Sequence, residues 1–216
     1  MFRILVCPNI TFSRDLEKDS YVIVLGNIIR ELNKIRDDLE WVILSPTIIQ
    51  SLIFPNTEQR IINIPSYPNS MRLHFNFFEL MKKIVWKIES YDIVFSHLPE
   101  QVLAWKNLFY NTTNERPIFI GYSHWAEFPE ITSYNKTVLD YWILGLLEMI
   151  RCGINTQAQK NMVIESAKKH FNSNVINELE KIVQPIYLGA ETPNYTPQPI
   201  EKIIVSFALI FTLSIL

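Results

Sequence analysis

Glycine is scarce, at five residues in 216. A phosphate-cradling loop needs several glycines close together so that the backbone can approach the anion, and no stretch of this chain supplies them. The candidate first turn, residues 7–20, has no glycine at all. That disfavours a Rossmann enzyme that holds a nucleotide cofactor at its first turn. Cysteine is scarcer still, with only Cys7 and Cys152. There is no Cys-x-x-Cys, no His-Glu-x-x-His and no Asp-x-Asp near a strand end, so no cluster has metal-ligand spacing. The sharp Gly-x-Ser-x-Gly turn of serine hydrolases is also missing. Charge of either sign is in small excess, the net being −2. No global electrostatic argument therefore points to nucleic acid or an anionic membrane.

A chain of 216 residues is enough for one domain with a full core, or for one domain plus a fragment of another. Its main signal is rhythm. Ile4-Leu5-Val6-Cys7, Trp41-Val42-Ile43-Leu44, Asp92-Ile93-Val94-Phe95, Ile118-Phe119-Ile120-Gly121, Cys152-Gly153-Ile154, and Ile182-Val183 through Pro185 to Ile186-Tyr187-Leu188-Gly189 are short apolar runs. Each ends in a polar or small-residue turn, and helix-type sequence separates them. Runs of this length between amphipathic segments predict parallel strands covered on both faces by helices, an open Rossmann-like α/β sheet. Ligands of such sheets bind beyond the carboxyl ends of the strands, which is where His97 and His124 fall. Cys7 and Cys152 lie in predicted buried strands and read as reduced core thiols, and the expected location is cytoplasmic.

Between the runs, Asp19 or Ser20 can cap a helix whose apolar stripe is Val22, Leu25, Ile28, Ile29, Leu32 and Ile35. A short helix is expected over 47–54 and a third strand over 60–64. Residues 71–90 predict a crossover helix with a solvated basic face formed by Lys82, Lys83 and Lys87; peripheral membrane contact is the second reading of that basic, aromatic segment. Helices are further expected over 100–110, 138–150, 157–171 and 172–182, with Thr156 placed to cap the third of these. The helix over 138–150 is apolar enough to suggest burial on more than one side. The Rossmann-like unit is expected to occupy residues 1–190. A proline-punctuated linker follows at 191–200, and 201–216 reads as the first strand of a truncated second domain or as an apolar tail. The uncharged stretch from 203 falls short of the ~20 residues that span a bilayer.

The order of these features resembles the N-terminal half of a two-domain glycosyltransferase of the GT-B type, most similar to the large retaining family four group and its family one relatives. The residues that carry the resemblance are a polar loop after the first strand, YDIVFSHLPE at 91–100, IFIGYSHWAEFPE at 118–130, GINTQAQKN at 153–161 and VQPIYLGAE at 183–191. The resemblance implies that this half binds the acceptor, a glycan, a lipid or another molecule. A nucleotide-sugar donor would be the co-substrate, with no other cofactor, gripped mainly by a second half, so that this chain alone would be inactive. On the same basis His124 matches a crevice histidine that would bond the donor sugar, with His97 lining the same cleft. The loop carrying Asn9, Thr11 and Ser13 would approach the acceptor and the sugar phosphate, and Asn155 falls where a strand ends and a helix is capped.

Other readings of the same residues stand beside these. A histidine at a strand end is often a packed structural residue. Glu127 and Glu130, which could orient sugar hydroxyls within an aromatic loop, are equally explained as solvated loop carboxylates. The whole chain also fits a non-catalytic α/β binding domain, or a fragment of a nucleotide-sugar epimerase of the same two-domain architecture.

Overall fold

The computed structural model describes residues 1–7, 15–62, 90–112, 116–123 and 136–186. Within them lie seven strands, all but β3 falling on the six apolar runs: β1 (Phe2–Val6), β2 (Leu39–Ser45), β3 (Thr57–Ile61), β4 (Ile93–Ser96), β5 (Ile118–Ser123), β6 (Arg151–Ile154) and β7 (Val183–Pro185), which covers only the start of the last run. They form one sheet in the order β3-β2-β1-β4-β5-β6-β7, and every pairing is parallel. The expected open parallel α/β sheet is thus the observed one. Strand order reverses between β1 and β4, so the crevice rule for parallel sheets puts a ligand beyond the carboxyl ends of those two strands.

Five described helices cover the sheet: α1 (Ser20–Ile35), α2 (Val102–Thr112), α3 (Lys136–Leu147), α4 (Gln157–Lys168) and α5 (Ser173–Ile182). Alternate residues of each strand point to opposite faces, and the core divides accordingly. On one face Ile4, Val6, Ile93 and Phe95 pack with Val22, Leu25 and Ile29 of α1. On the other, Leu5, Val94, Phe119 and Cys152 pack with Trp105 of α2, Trp142 of α3, Val163 of α4 and Leu179 of α5. Trp41, Trp105 and Trp142 are at most 1% exposed. Truncating any of them to alanine is expected to cost about 3–5 kcal/mol, the lost transfer energy plus the cavity left behind.

Local chemistry sets the boundaries. Asp19 is the N-cap of α1, its carboxylate accepting the Tyr21 N–H at 3.0 Å, and Thr156 caps α4 by accepting the Gln159 N–H at 3.0 Å. Several expectations are corrected. The third strand spans Thr57–Ile61 rather than 60–64, because a strand at the sheet edge need not be apolar throughout. The segment 47–54 contains only a 3-10 turn, Gln50–Leu52. Its two leading amides are taken up by the Glu17 carboxylate at 2.6 and 3.2 Å. Helix α2 begins at Val102, behind a 3-10 turn at Pro99–Gln101. Ile35, assigned to the buried stripe of α1, is 46% exposed. Helix α3 buries Leu139, Trp142, Ile143 and Leu146 but leaves Tyr141 and Leu144 at the surface, so a single side is buried. The expected crossover helix at 71–90, the linker at 191–200 and the segment 201–216 lie outside the described residues. No helix among the described residues is long and apolar enough to cross a membrane.

Candidate functional site

The carboxyl edge of the sheet collects short polar side chains. Ser45, Ser96 and Ser123 end β2, β4 and β5 and are all buried. Ser45 Oγ donates to the Thr47 carbonyl at 2.7 Å. Ser96 Oγ donates to the Leu98 carbonyl and accepts the Leu98 N–H, both at 3.2 Å. The Ser45 and Ser96 hydroxyls satisfy the first backbone groups that leave the ladder, which lets these strands stop abruptly.

His97 follows directly on β4 and is 7% exposed. Three aromatic rings meet its imidazole edge to face. Tyr21 has its ring centroid 4.3 Å away at an interplanar angle of 73°, Phe95 lies at 5.1 Å and 76°, and Tyr122 at 6.2 Å and 73°. Each tyrosine also holds a polar partner. The Tyr21 hydroxyl donates to the Cys7 carbonyl at 3.1 Å, where the chain leaves β1. The Tyr122 hydroxyl donates to Asn155 Oδ1 at 2.6 Å, where it leaves β6. The carboxyl edge of the sheet therefore holds a buried aromatic box around an imidazole, pinned by hydroxyls to the ends of β1 and β6.

Burial dominates the acid–base character of this box. It pushes the Tyr21 phenol up, with Cys7 and Asp19 beside it acting in the same direction. It raises the Tyr122 phenol, with Cys152 adding to the effect, and it lifts the Cys7 thiol well above its ordinary value. These groups stay protonated at neutral pH. They serve as neutral hydrogen-bond donors and not as bases.

Of the residues singled out from the sequence, the described structure brings His97 and Asn155 into one neighbourhood, linked through Tyr122. Asn155 is half-buried, and its backbone N–H donates to Gln159 Oε1 at 3.1 Å. Asn9, Thr11, Ser13, His124, Glu127 and Glu130 lie outside the described residues; His124 is the residue after Ser123, the end of β5. Tyr21 and Tyr122 were not anticipated from the sequence. Their signal was an aromatic with a polar tip inside an apolar run, one beside a helix cap and the other at a strand end, and apolar periodicity alone counts both as core. Among the described residues no three His, Cys, Asp or Glu side chains gather as a metal site.

No protein-family model matches the chain, and no curated protein matches it. Solved structures do. The chain is similar to Anabaena Alr3699/HepE in complex with UDP and glucose, with a TM-score of 0.54 and 15% identity over 97% of this chain and 51% of that one. It is similar to the same protein in complex with UDP-glucose, with a TM-score of 0.51 and 14% identity over 97% of this chain and 50% of that one. The chain thus spans about half the length of the solved chains it matches. At such identity the likeness is one of fold.

Proposed function

We propose that this domain is the acceptor-side lobe of a two-lobed, GT-B-type glycosyltransferase that moves a sugar from a nucleotide-sugar donor to a glycan, lipid or other acceptor. The observation that carries the reading is the likeness of nearly the whole chain to half of a protein solved with UDP and glucose. The cleft chemistry supports it. The carboxyl edge of the sheet is where parallel sheets bind ligands, and the half-buried Asn155 amide there is a neutral group of the kind that bonds a sugar hydroxyl. The scarcity of glycine supports assigning the main grip on the diphosphate to a second lobe.

In this reading His124, next after β5, reaches the donor sugar, while His97 and Asn155 shape the cleft floor. The loop carrying Asn9, Thr11 and Ser13 faces the acceptor, and Glu127 and Glu130 orient sugar hydroxyls. In a protein carrying both lobes, His124→Ala should lower turnover by ~10- to 1,000-fold, the scale of one polar contact that strengthens in the transition state, with the melting temperature nearly unchanged.

The test on this chain is an NMR titration with UDP-glucose. Weak, saturable shifts centred on the His124, His97, Tyr122 and Asn155 signals are expected. Binding tighter than about 10 μM, roughly −7 kcal/mol, would remove the acceptor-side assignment. Shifts absent from the cleft at millimolar ligand would remove the cleft as the sugar site.

A further inference from the structure

We infer that Tyr21 is a positioning residue of the cleft, a single side chain that sets the exit of β1 and the ring of His97 against each other. Its bearing on sugar transfer rests on the function proposed above, but the geometric assignment does not.

Tyr21 stands in the first turn of α1, where its own N–H is tied to the Asp19 carboxylate at 3.0 Å. The helix behind it is locked to the sheet through Val22, Leu25 and Ile29. From that fixed base the side chain makes two directed contacts. The hydroxyl reaches the Cys7 carbonyl at 3.1 Å, and the ring meets the His97 imidazole nearly perpendicularly, 4.3 Å between centroids. The Cys7 N–H in turn donates to the Phe95 carbonyl at 2.9 Å, and the Phe95 ring makes its own edge contact with His97 at 5.1 Å. Tyr21, Cys7, Phe95 and His97 therefore close a ring of contacts across the β1–β4 switch point.

A phenylalanine at position 21 would fill nearly the same volume and meet the same core, so packing alone does not call for the hydroxyl. Hydroxyl burial is compatible with stability only with a partner, and here that partner is the Cys7 carbonyl, where the chain leaves β1. A shift of the ring at position 21 would disturb its contact with that carbonyl and its contact with the His97 imidazole together. Tyr21 sets both at once.

The experiment compares the full chain with Tyr21→Phe, labelled with 15N-histidine, and reads the His97 Nδ1 and Nε2 shifts, which report the tautomer. The expected result is a cooperative melt with the His97 nitrogen shifts moved beyond those of the other histidines, because loss of the bond to the Cys7 carbonyl lets the ring at position 21 change its angle to the imidazole. A lowered melting temperature with unchanged His97 shifts would make Tyr21 a packing residue and overturn the inference. Should Tyr21→Phe fail to melt cooperatively, the reciprocal variant His97→Phe, which keeps an aromatic ring at that place, is read at the Cys7 backbone signals, next to the carbonyl that the Tyr21 hydroxyl holds. Shifted signals there support the coupling, and unmoved ones overturn it. UDP-glucose added to the parent separates the two ideas. If it perturbs no cleft signal while His97 still responds to Tyr21→Phe, the sugar-transfer reading fails and the positioning role stands.

Discussion

Gly145 of α3 lies against the backbone of Pro99, so close that a Cβ built on it would sit 1.7 Å from the Pro99 carbonyl oxygen and 2.6 Å from its carbon. Backbone cannot yield as a side-chain tip can. Gly145→Ala should therefore push α3 off the turn that launches α2, costing about 1–3 kcal/mol or more, as overpacking does. Gly26 in α1 is the contrast. Its added Cβ would meet Leu52 Cδ2 at 3.3 Å, the movable end of a side chain, and alanine gains about 1 kcal/mol of helix propensity over glycine. Urea midpoints should show Gly145→Ala strongly destabilised and Gly26→Ala neutral to stabilised. The reverse order would mean that the packing of α3 is misjudged.

Buried acids give the domain a ceiling in pH. Burial pushes the Cys152 thiol from an ordinary value of 9.0 up to about 12, only partly opposed by a backbone hydrogen bond from Ser123, and Cys7, Tyr21 and Tyr122 are raised in the same direction. A raised folded-state value means that the native state holds its proton where the unfolded chain has released it. The stabilising contribution of Cys152 is therefore complete below about 9 and is lost as pH climbs toward about 12. Stability measured by urea should fall through that window, with each such group adding a slope of roughly 1 kcal/mol per pH unit at most. Cys152→Ala should flatten the decline while lowering stability modestly at neutral pH. A decline of equal steepness in both proteins would show that Cys152 does not contribute.

The sheet was legible because its central strands are buried on both faces and so appear as unbroken apolar runs, Val42-Ile43-Leu44 and Ile93-Val94-Phe95 among them. β3 was misplaced by a few residues for the complementary reason. Glu58, Gln59 and Arg60 carry no apolar signal, since an edge strand leaves its side chains half in solvent. The helix caps at Asp19 and Thr156 could be read because a short polar side chain before an amphipathic stripe has few other uses. The cleft was only half legible. His97 and Asn155 stand out as polar residues at strand ends. What binds them together is Tyr122, whose ring meets His97, 25 positions before it, and whose hydroxyl bonds Asn155, 33 positions after it, a three-dimensional relation that no local pattern encodes.

Removal of residues 201–216 is expected to leave a cooperative fold. All seven strands among the described residues lie within 2–185, and both described core clusters are built from residues up to Ile186. With an uncharged apolar segment gone, solubility should rise. A lost cooperative melt in the shortened chain would show that this segment is part of the structural core.

Tyr122 and Asn155 should prove energetically coupled. Their bond, at 2.6 Å, spans the neighbouring strands β5 and β6, and Asn155 is held from below as well. Thr156 caps α4 through the Gln159 N–H, while the Gln159 side chain reaches back to the Asn155 N–H. This is close to a capping box shifted by one residue. The backbone of Asn155 is thus fixed by the helix start, and its amide plane by the tyrosine. Tyr122→Phe and Asn155→Ala should each cost about 1 kcal/mol, and the double variant less than their sum, with a coupling energy of about 0.5–1.5 kcal/mol. If Asn155 also serves the sugar, Tyr122→Phe should weaken the UDP-glucose shifts at the Asn155 amide beyond what a fall of about 2–4 °C in melting temperature accounts for. Strictly additive variants would mean that the hydroxyl and the amide meet without holding each other, and Asn155 would then lose the support that makes it a directed ligand.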